Sequence, residues 1–239
     1  MGECFNGFSG YVGDYQNHLT ALFNYPMYYS IRDAFAYGKS MTVLRDRWNE
    51  EQRYFRDIDA LGIFVDNHDN ARFLNGNGEH KVFKSALAFS LTARGIPFFY
   101  YGSEQGFAGG QDPYNREALW NNLDETSEIY SFVSTIMRAR KSHQIYNSMF
   151  NEKYVDDQFY GFSRGDMFVA LTNQVNGEVH REVPNSGFNE GQTVCNIFFS
   201  TDCVTVKNGN LPVYLENGET KIFVPKGSAF FTEKVALIQ

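Results

Sequence analysis

The strongest constraint on the fold of this chain is a repeated order: short apolar run, polar loop, helical segment. Residues 61–65 form an apolar run, and Gly76-Asn77-Gly78 then breaks the chain. Phe83, Leu87, Ser90 and Leu91 line one side of a segment over about 79–94, and Gly95 follows where a helix would end. The order begins again with an apolar run at 96–101, a glycine-rich loop over 102–116 and a helical segment over about 127–142. Runs this short, built of aliphatic and aromatic residues, read as strands buried on both faces. Strands alternating with helices pair in parallel, because a parallel connection needs a crossover.

Upstream, residues 5–17 carry three glycines without helical periodicity and read as a loop. Residues 19–25 read as a strand stopped by Pro26. Residues 28–37 read as a helix, and Ser40 as the cap of a second one running to about Phe55. After Asn147 the character changes. Short β-type runs at 159–163, 167–173, 194–199, 204–207, 211–215, 221–224 and 229–232 are separated by Arg164-Gly165-Asp166 and by the pairs Asn176-Gly177, Asn208-Gly209 and Asn217-Gly218. That is the pattern of an antiparallel β-sandwich. The expected organisation is an α/β unit over residues 1–147 and an all-β unit over 148–239.

Twenty-one basic against 28 acidic side chains give a net charge of −7 with no basic block, which argues against nucleic acid as a partner. No apolar run approaches the roughly 18 residues of a membrane span. Met1-Gly2-Glu3-Cys4 has neither the basic nor the apolar region of a secretory leader. Cys4, Cys195 and Cys203 lack zinc-ligand spacing; Cys195 and Cys203 are either bridged across two strand ends or buried as free thiols. The 23 Phe and 15 Tyr supply core volume and platforms for planar or sugar ligands.

The candidate site lies just past the run at 61–65, in Phe64-Val65-Asp66-Asn67-His68-Asp69-Asn70. Polar groups massed at the C-terminal end of a parallel strand are where barrel enzymes carry their chemistry. An Asx-rich turn is the other reading of the same residues.

Phe64-Val65-Asp66-Asn67-His68-Asp69 resembles the fourth signature region of the α-amylase family of glycoside hydrolases, and Gly2-Glu3-Cys4-Phe5-Asn6-Gly7 resembles the third. Asn24-Tyr25-Pro26 with Tyr28-Tyr29 resembles the family's sixth strand. Gly95-Ile96-Pro97, Tyr100-Tyr101-Gly102 and Glu104-Gln105 resemble its eighth-strand region. The segment from Gly109-Gly110-Gln111-Asp112 through Pro113-Tyr114-Asn115-Arg116-Glu117 is similar to one in fungal-type members. The run Cys203-Val204-Thr205-Val206 looks like part of the family's C-terminal sandwich.

The resemblance implies the C-terminal half, strands five to eight, of a (β/α)8 TIM barrel, followed by an antiparallel sandwich known as domain C. It implies retaining hydrolysis of internal α-1,4-glucosidic bonds in starch or glycogen by a secreted, monomeric enzyme with an α-glucan as its partner. By position, Glu3 becomes the general acid/base and Asp69 the transition-state stabiliser. His68, Asp112 and Arg116 become sugar contacts, and the Gly7 backbone lines the leaving-group side. The departure from the family is large. Its first two signature regions are missing, and with them the nucleophilic aspartate and the calcium ligands. Asp66 matches a variable acidic position and does not replace that nucleophile. The expectation is therefore a truncated portion that binds no metal itself and is inactive alone, with an open barrel edge prone to aggregation. A non-catalytic α-glucan-binding module and transglycosylation are the alternative readings.

Overall fold

The computed structural model describes residues 1–232. Four chain segments lie side by side in parallel. Gly2 pairs with Leu22, Phe23 with Gly62, and β1 (Gly62–Ile63) with β2 (Ile96–Pro97). The expected strands at 19–25, 61–65 and 96–101 are thus shorter than their apolar runs, because each run leaves the sheet for a polar task. Asn24 turns away to cap a helix, accepting the Met27 amide at 2.9 Å. The chain after Val65 turns so that the Asp66 carboxylate takes the Phe73 amide at 2.7 Å.

The helices wrap this sheet. The expected loop at 5–17 contains α1 (Ser9–Asp14). Its glycines serve packing, since a Cβ at Gly13 would meet the Tyr54 carbonyl oxygen at 2.5 Å. The helix expected at 28–37 begins earlier, as α2 (Tyr25–Ile31), and runs into a π-helical turn at Arg32–Ala36. Then come α3 (Thr42–Tyr54), the single turn α4 (Phe73–Gly76), α5 (His80–Thr92) and α6 (Glu128–Ser142).

The antiparallel part has one sheet in the order β3 (Phe150–Val155), β4 (Phe159–Arg164), β5 (Met167–Thr172), β10 (Lys221–Pro225), β7 (Thr193–Asn196), β8 (Phe199–Thr205). Against it lies the pair β6 (Glu178–Pro184) and β9 (Asn210–Glu216). β4, β5 and β10 are buried on both faces, and their residues alternate between two cores. Phe159, Phe168, Ala170 and Phe223 point to the sandwich interior. Tyr160, Phe162, Val169, Leu171 and Ile222 join the core shared with the helical part. Phe89 of α5 meets the Tyr160 and Phe162 rings edge-on, at 5.8 and 6.2 Å between centroids.

Two strands, β3 and β6, are additional to the expected set, and Cys195 and Cys203 are opposite each other and disulfide-bonded. The run at 229–232, expected as a strand, is the helical turn α7 (Ala229–Thr232). There Phe230 is buried with the Arg138 guanidinium 4.4 Å from its ring.

Candidate active site

Past the C-terminal ends of the parallel segments lies a cleft of about 160 Å³ whose lining includes Glu3, Asn67, His68, Phe64, Phe99 and Tyr100. Glu3 follows the first paired residue, and its carboxylate accepts a hydrogen bond from the Tyr25 hydroxyl at 2.7 Å. That hydroxyl accepts in turn from Asn67 Nδ2 at 2.8 Å. Burial, and then the bond to Glu3, push the Tyr25 phenol well above its ordinary value, so it remains a donor.

The Asn67 side-chain oxygen takes the amides of Asp69 (3.2 Å) and Asn70 (3.0 Å) and the Asn70 side-chain amide (2.9 Å). This is an Asx turn, the second of the two readings of the polar cluster, and it fixes where His68 and Asp69 stand. The turn presents His68 and Asp69 half exposed, with His68 Nε2 3.4 Å from the Asp69 carboxylate. Arg116 reaches the same place. Its Nε lies 3.0 Å from Asp112, and its Nη2 lies 4.0 Å from Asp69 and donates to the His68 carbonyl at 3.4 Å.

The structure therefore brings His68, Asp69, Asp112 and Arg116 together, and Tyr25 and Asn67 link Glu3 to them. Gly7 stands apart, against the Tyr29 ring, where a Cβ would meet Cδ2 at 3.0 Å. Asp66 reaches the cleft lining, but its carboxylate is committed to the scaffold. One oxygen takes the Phe73 amide and the other the Ser103 hydroxyl at 2.9 Å, and burial raises its pKa.

Five residues that the sequence motifs do not single out hold this arrangement. Tyr25 and Asn67 stand inside the motifs that resemble the family's, and nothing in those motifs alone points to their hydrogen bonds. Asn115 is fully buried and donates to the carbonyls of His68 (2.9 Å) and Asn70 (2.8 Å), tying the two loops together. Arg72 is fully buried with its Nε 2.7 Å from Glu117, whose other oxygen accepts the Gly109 amide at 2.7 Å. The Arg72 guanidinium lies 4.5 Å from the Tyr100 ring. The only signal for Asn115 and Glu117 was their adjacency to Asp112 and Arg116. Among the described residues no group of three or more His, Cys, Asp or Glu side chains is placed to hold a metal ion.

Parallel strands with carboxylates beyond their C-terminal ends, backed by an antiparallel sandwich, define a TIM-barrel enzyme fold of which this chain forms a part. The family described as the alpha-amylase catalytic domain matches residues 1–194, and the chain belongs to that family. It is 39% identical over 236 residues to a beta/alpha-amylase of Paenibacillus polymyxa, covering 93% of the chain and 19% of that protein. It is 30% identical over 234 residues to an alpha-amylase of Saccharomycopsis fibuligera, covering 94% of the chain and 47% of that protein. The structure of an alpha-amylase from Malbranchea cinnamomea matches with a TM-score of 0.88 at 30% identity, over 95% of this chain and 51% of that one. The chain thus spans about half the length of these relatives, or less.

Proposed function

We propose that this chain supplies the acid/base and the stabilising carboxylate of a retaining endo-hydrolase acting on α-1,4-glucosidic bonds of starch or glycogen. The observation that supports the reading is the hydrogen-bonded path from Glu3 through Tyr25 to the Asn67 turn, which links the Glu3 carboxylate to the loop that carries Asp69. Glu3 protonates the leaving oxygen, and Asp69 strengthens its hold on the sugar hydroxyls as the ring flattens. His68 and Arg116 bind the same sugar, Asp112 orients Arg116, and Gly7 lines the leaving-group side. In this reading the barrel portion is residues 1–147 and the sandwich 148–239, calcium is held by residues outside the chain, and the whole enzyme is a secreted monomer. The Cys195–Cys203 disulfide is in keeping with an oxidising compartment.

Double displacement needs a nucleophilic carboxylate as well as the acid/base. Asp66 is occupied by the scaffold, so the 239-residue chain does not turn over starch on its own. Incubating it with starch and with a mechanism-based glucosyl inhibitor should give neither new reducing ends nor a covalent adduct; either product refutes that statement. In a polypeptide that restores the rest of the barrel, Glu3→Gln should lower kcat by roughly 10²- to 10⁴-fold. Unchanged turnover in that variant would remove Glu3 from the chemistry. Retention of the chain on starch gels without turnover in the restored enzyme would favour a binding module instead.

A further inference from the structure

A second polar site lies at the N-terminal ends of β1 and β2, opposite the cleft. Arg94, Arg140 and Arg164, with Asp59, Tyr146 and Ser148, line a cavity of about 490 Å³. Each arginine is fixed through part of its guanidinium only. Arg94 holds Asp59 through Nε (2.9 Å) and Nη2 (2.7 Å). Arg140 donates from Nη1 to the Leu91 carbonyl at 2.6 Å. Arg164 donates from Nε to the Ser148 carbonyl at 3.1 Å and from Nη1 to the carbonyls of Thr92 and Ala93. The carbonyls at the end of α5 account for the presence of cations, since a helix C-terminus carries partial negative charge.

They do not account for three of them. Three guanidinium groups and one carboxylate line the cavity, a formal excess of two positive charges among its lining side chains. Arg164 is only 5% exposed, and a buried charge without a counter-charge is costly. Burial lowers the pKa of both Arg140 and Arg164, and for Arg164 the neighbouring Arg140 lowers it further. Nη1 of Arg94, Nε and Nη2 of Arg140 and Nη2 of Arg164 make no hydrogen bond among the described residues. Guanidinium N–H groups without a partner donate charge-assisted hydrogen bonds to the oxygens of a tetrahedral oxyanion.

We propose that this cavity binds a phosphate dianion, either free or as the monoester of a small sugar. The dianion matches the excess charge. A cavity many times the roughly 30 Å³ that one water occupies leaves room for an organic group beside the phosphate. Binding here does not depend on the glucosidase reading, because none of these side chains lines the cleft.

The test is calorimetric titration of the purified protein with inorganic phosphate and, separately, with glucose 6-phosphate at constant ionic strength. One saturable site is expected. Tighter binding of the ester assigns the sugar phosphate, and equal or tighter binding of the free anion assigns phosphate itself. Arg140→Gln should weaken binding by about tenfold or more, with the circular dichroism spectrum unchanged. Asp59→Asn, at the rim, should tighten it by raising the excess charge, an effect that a merely structural role for the ion pair would not produce. Absence of saturation at millimolar concentrations of both ligands overturns the proposal. So does equal affinity in the wild type and both variants.

Discussion

The Tyr25 hydroxyl touches both halves of the candidate site, donating to Glu3 and accepting from Asn67. Tyr25→Phe keeps the packed ring but leaves a carboxylate and a side-chain amide unpaired. A lost hydrogen bond to a charged group is worth about 1.5–3 kcal/mol. In a polypeptide with the complete barrel the variant should therefore lose roughly ten- to a hundredfold in kcat/KM on maltooligosaccharides; wild-type kinetics would show that Glu3 needs no such support. Gly109 sets a different constraint. A Cβ there would run into the Tyr114 carbonyl oxygen and come 2.6 Å from Glu117. Gly109→Ala should displace the Asp112–Arg116 segment, and the binding of maltooligosaccharides should weaken by about tenfold or more, measured by affinity electrophoresis. Glu3, His68, Asp69, Asp112 and Arg116 were legible in the sequence because each stands in a contiguous motif. The tasks of Tyr25, Asn115 and Arg72 were not, because their partners are 22 to 47 positions away in the chain and only the fold brings them together.

Among the elements, α3 carries an unusual burden. Glu51 is fully buried on it, with one carboxyl oxygen 3.1 Å from the Asn24 side-chain amide and the other without a partner. Burial raises its pKa from 4.5 to about 8, against the smaller opposing effect of the Asn24 hydrogen bond. A raised folded-state pKa means that the folded chain holds a proton which the unfolded chain releases. The contribution of Glu51 to stability is full below about pH 4.5 and lost as pH rises to about 8. The slope over that window is roughly 1.4 kcal/mol per pH unit from this group alone. Glu51→Gln, which keeps an acceptor for Asn24, should flatten the dependence; urea midpoints measured at pH 5 and pH 8 would show it, and equal slopes in both proteins would exclude it. The same scale explains which elements could be read in advance. β4, β5 and β10 were legible because both their faces are apolar. β6 was not, since only Val179 and Val183 point inward, with Arg181 between them paired to Asp156. In α1 the glycines read as a loop although they mark a close helix contact, and in α7 three apolar residues in a row are compatible with strand or helix.

At the scale of the whole molecule, one apolar core runs from α2 and α3 through α5 to the inner face of the large antiparallel sheet, so the two parts of the chain support one another. The parallel sheet is less well provided for. Among the described residues β2 pairs only with β1, and its other edge lies beside Ile96, Phe98 and Phe99, which are 44%, 38% and 38% exposed. An unpaired edge flanked by exposed apolar side chains is a template for association with another chain. The purified 239-residue chain should therefore associate as its concentration rises, with the sedimentation coefficient increasing across the micromolar range. Phe99→Lys places on this edge the residue type that proteins use to block strand pairing, and should shift the onset of association to a higher concentration. Phe99 lies in the cleft lining rather than in either core, so the substitution should leave the far-ultraviolet circular dichroism unchanged. A chain that sediments as a monomer at every concentration would show that this edge is already satisfied, and the same experiment with the complete barrel should give that result.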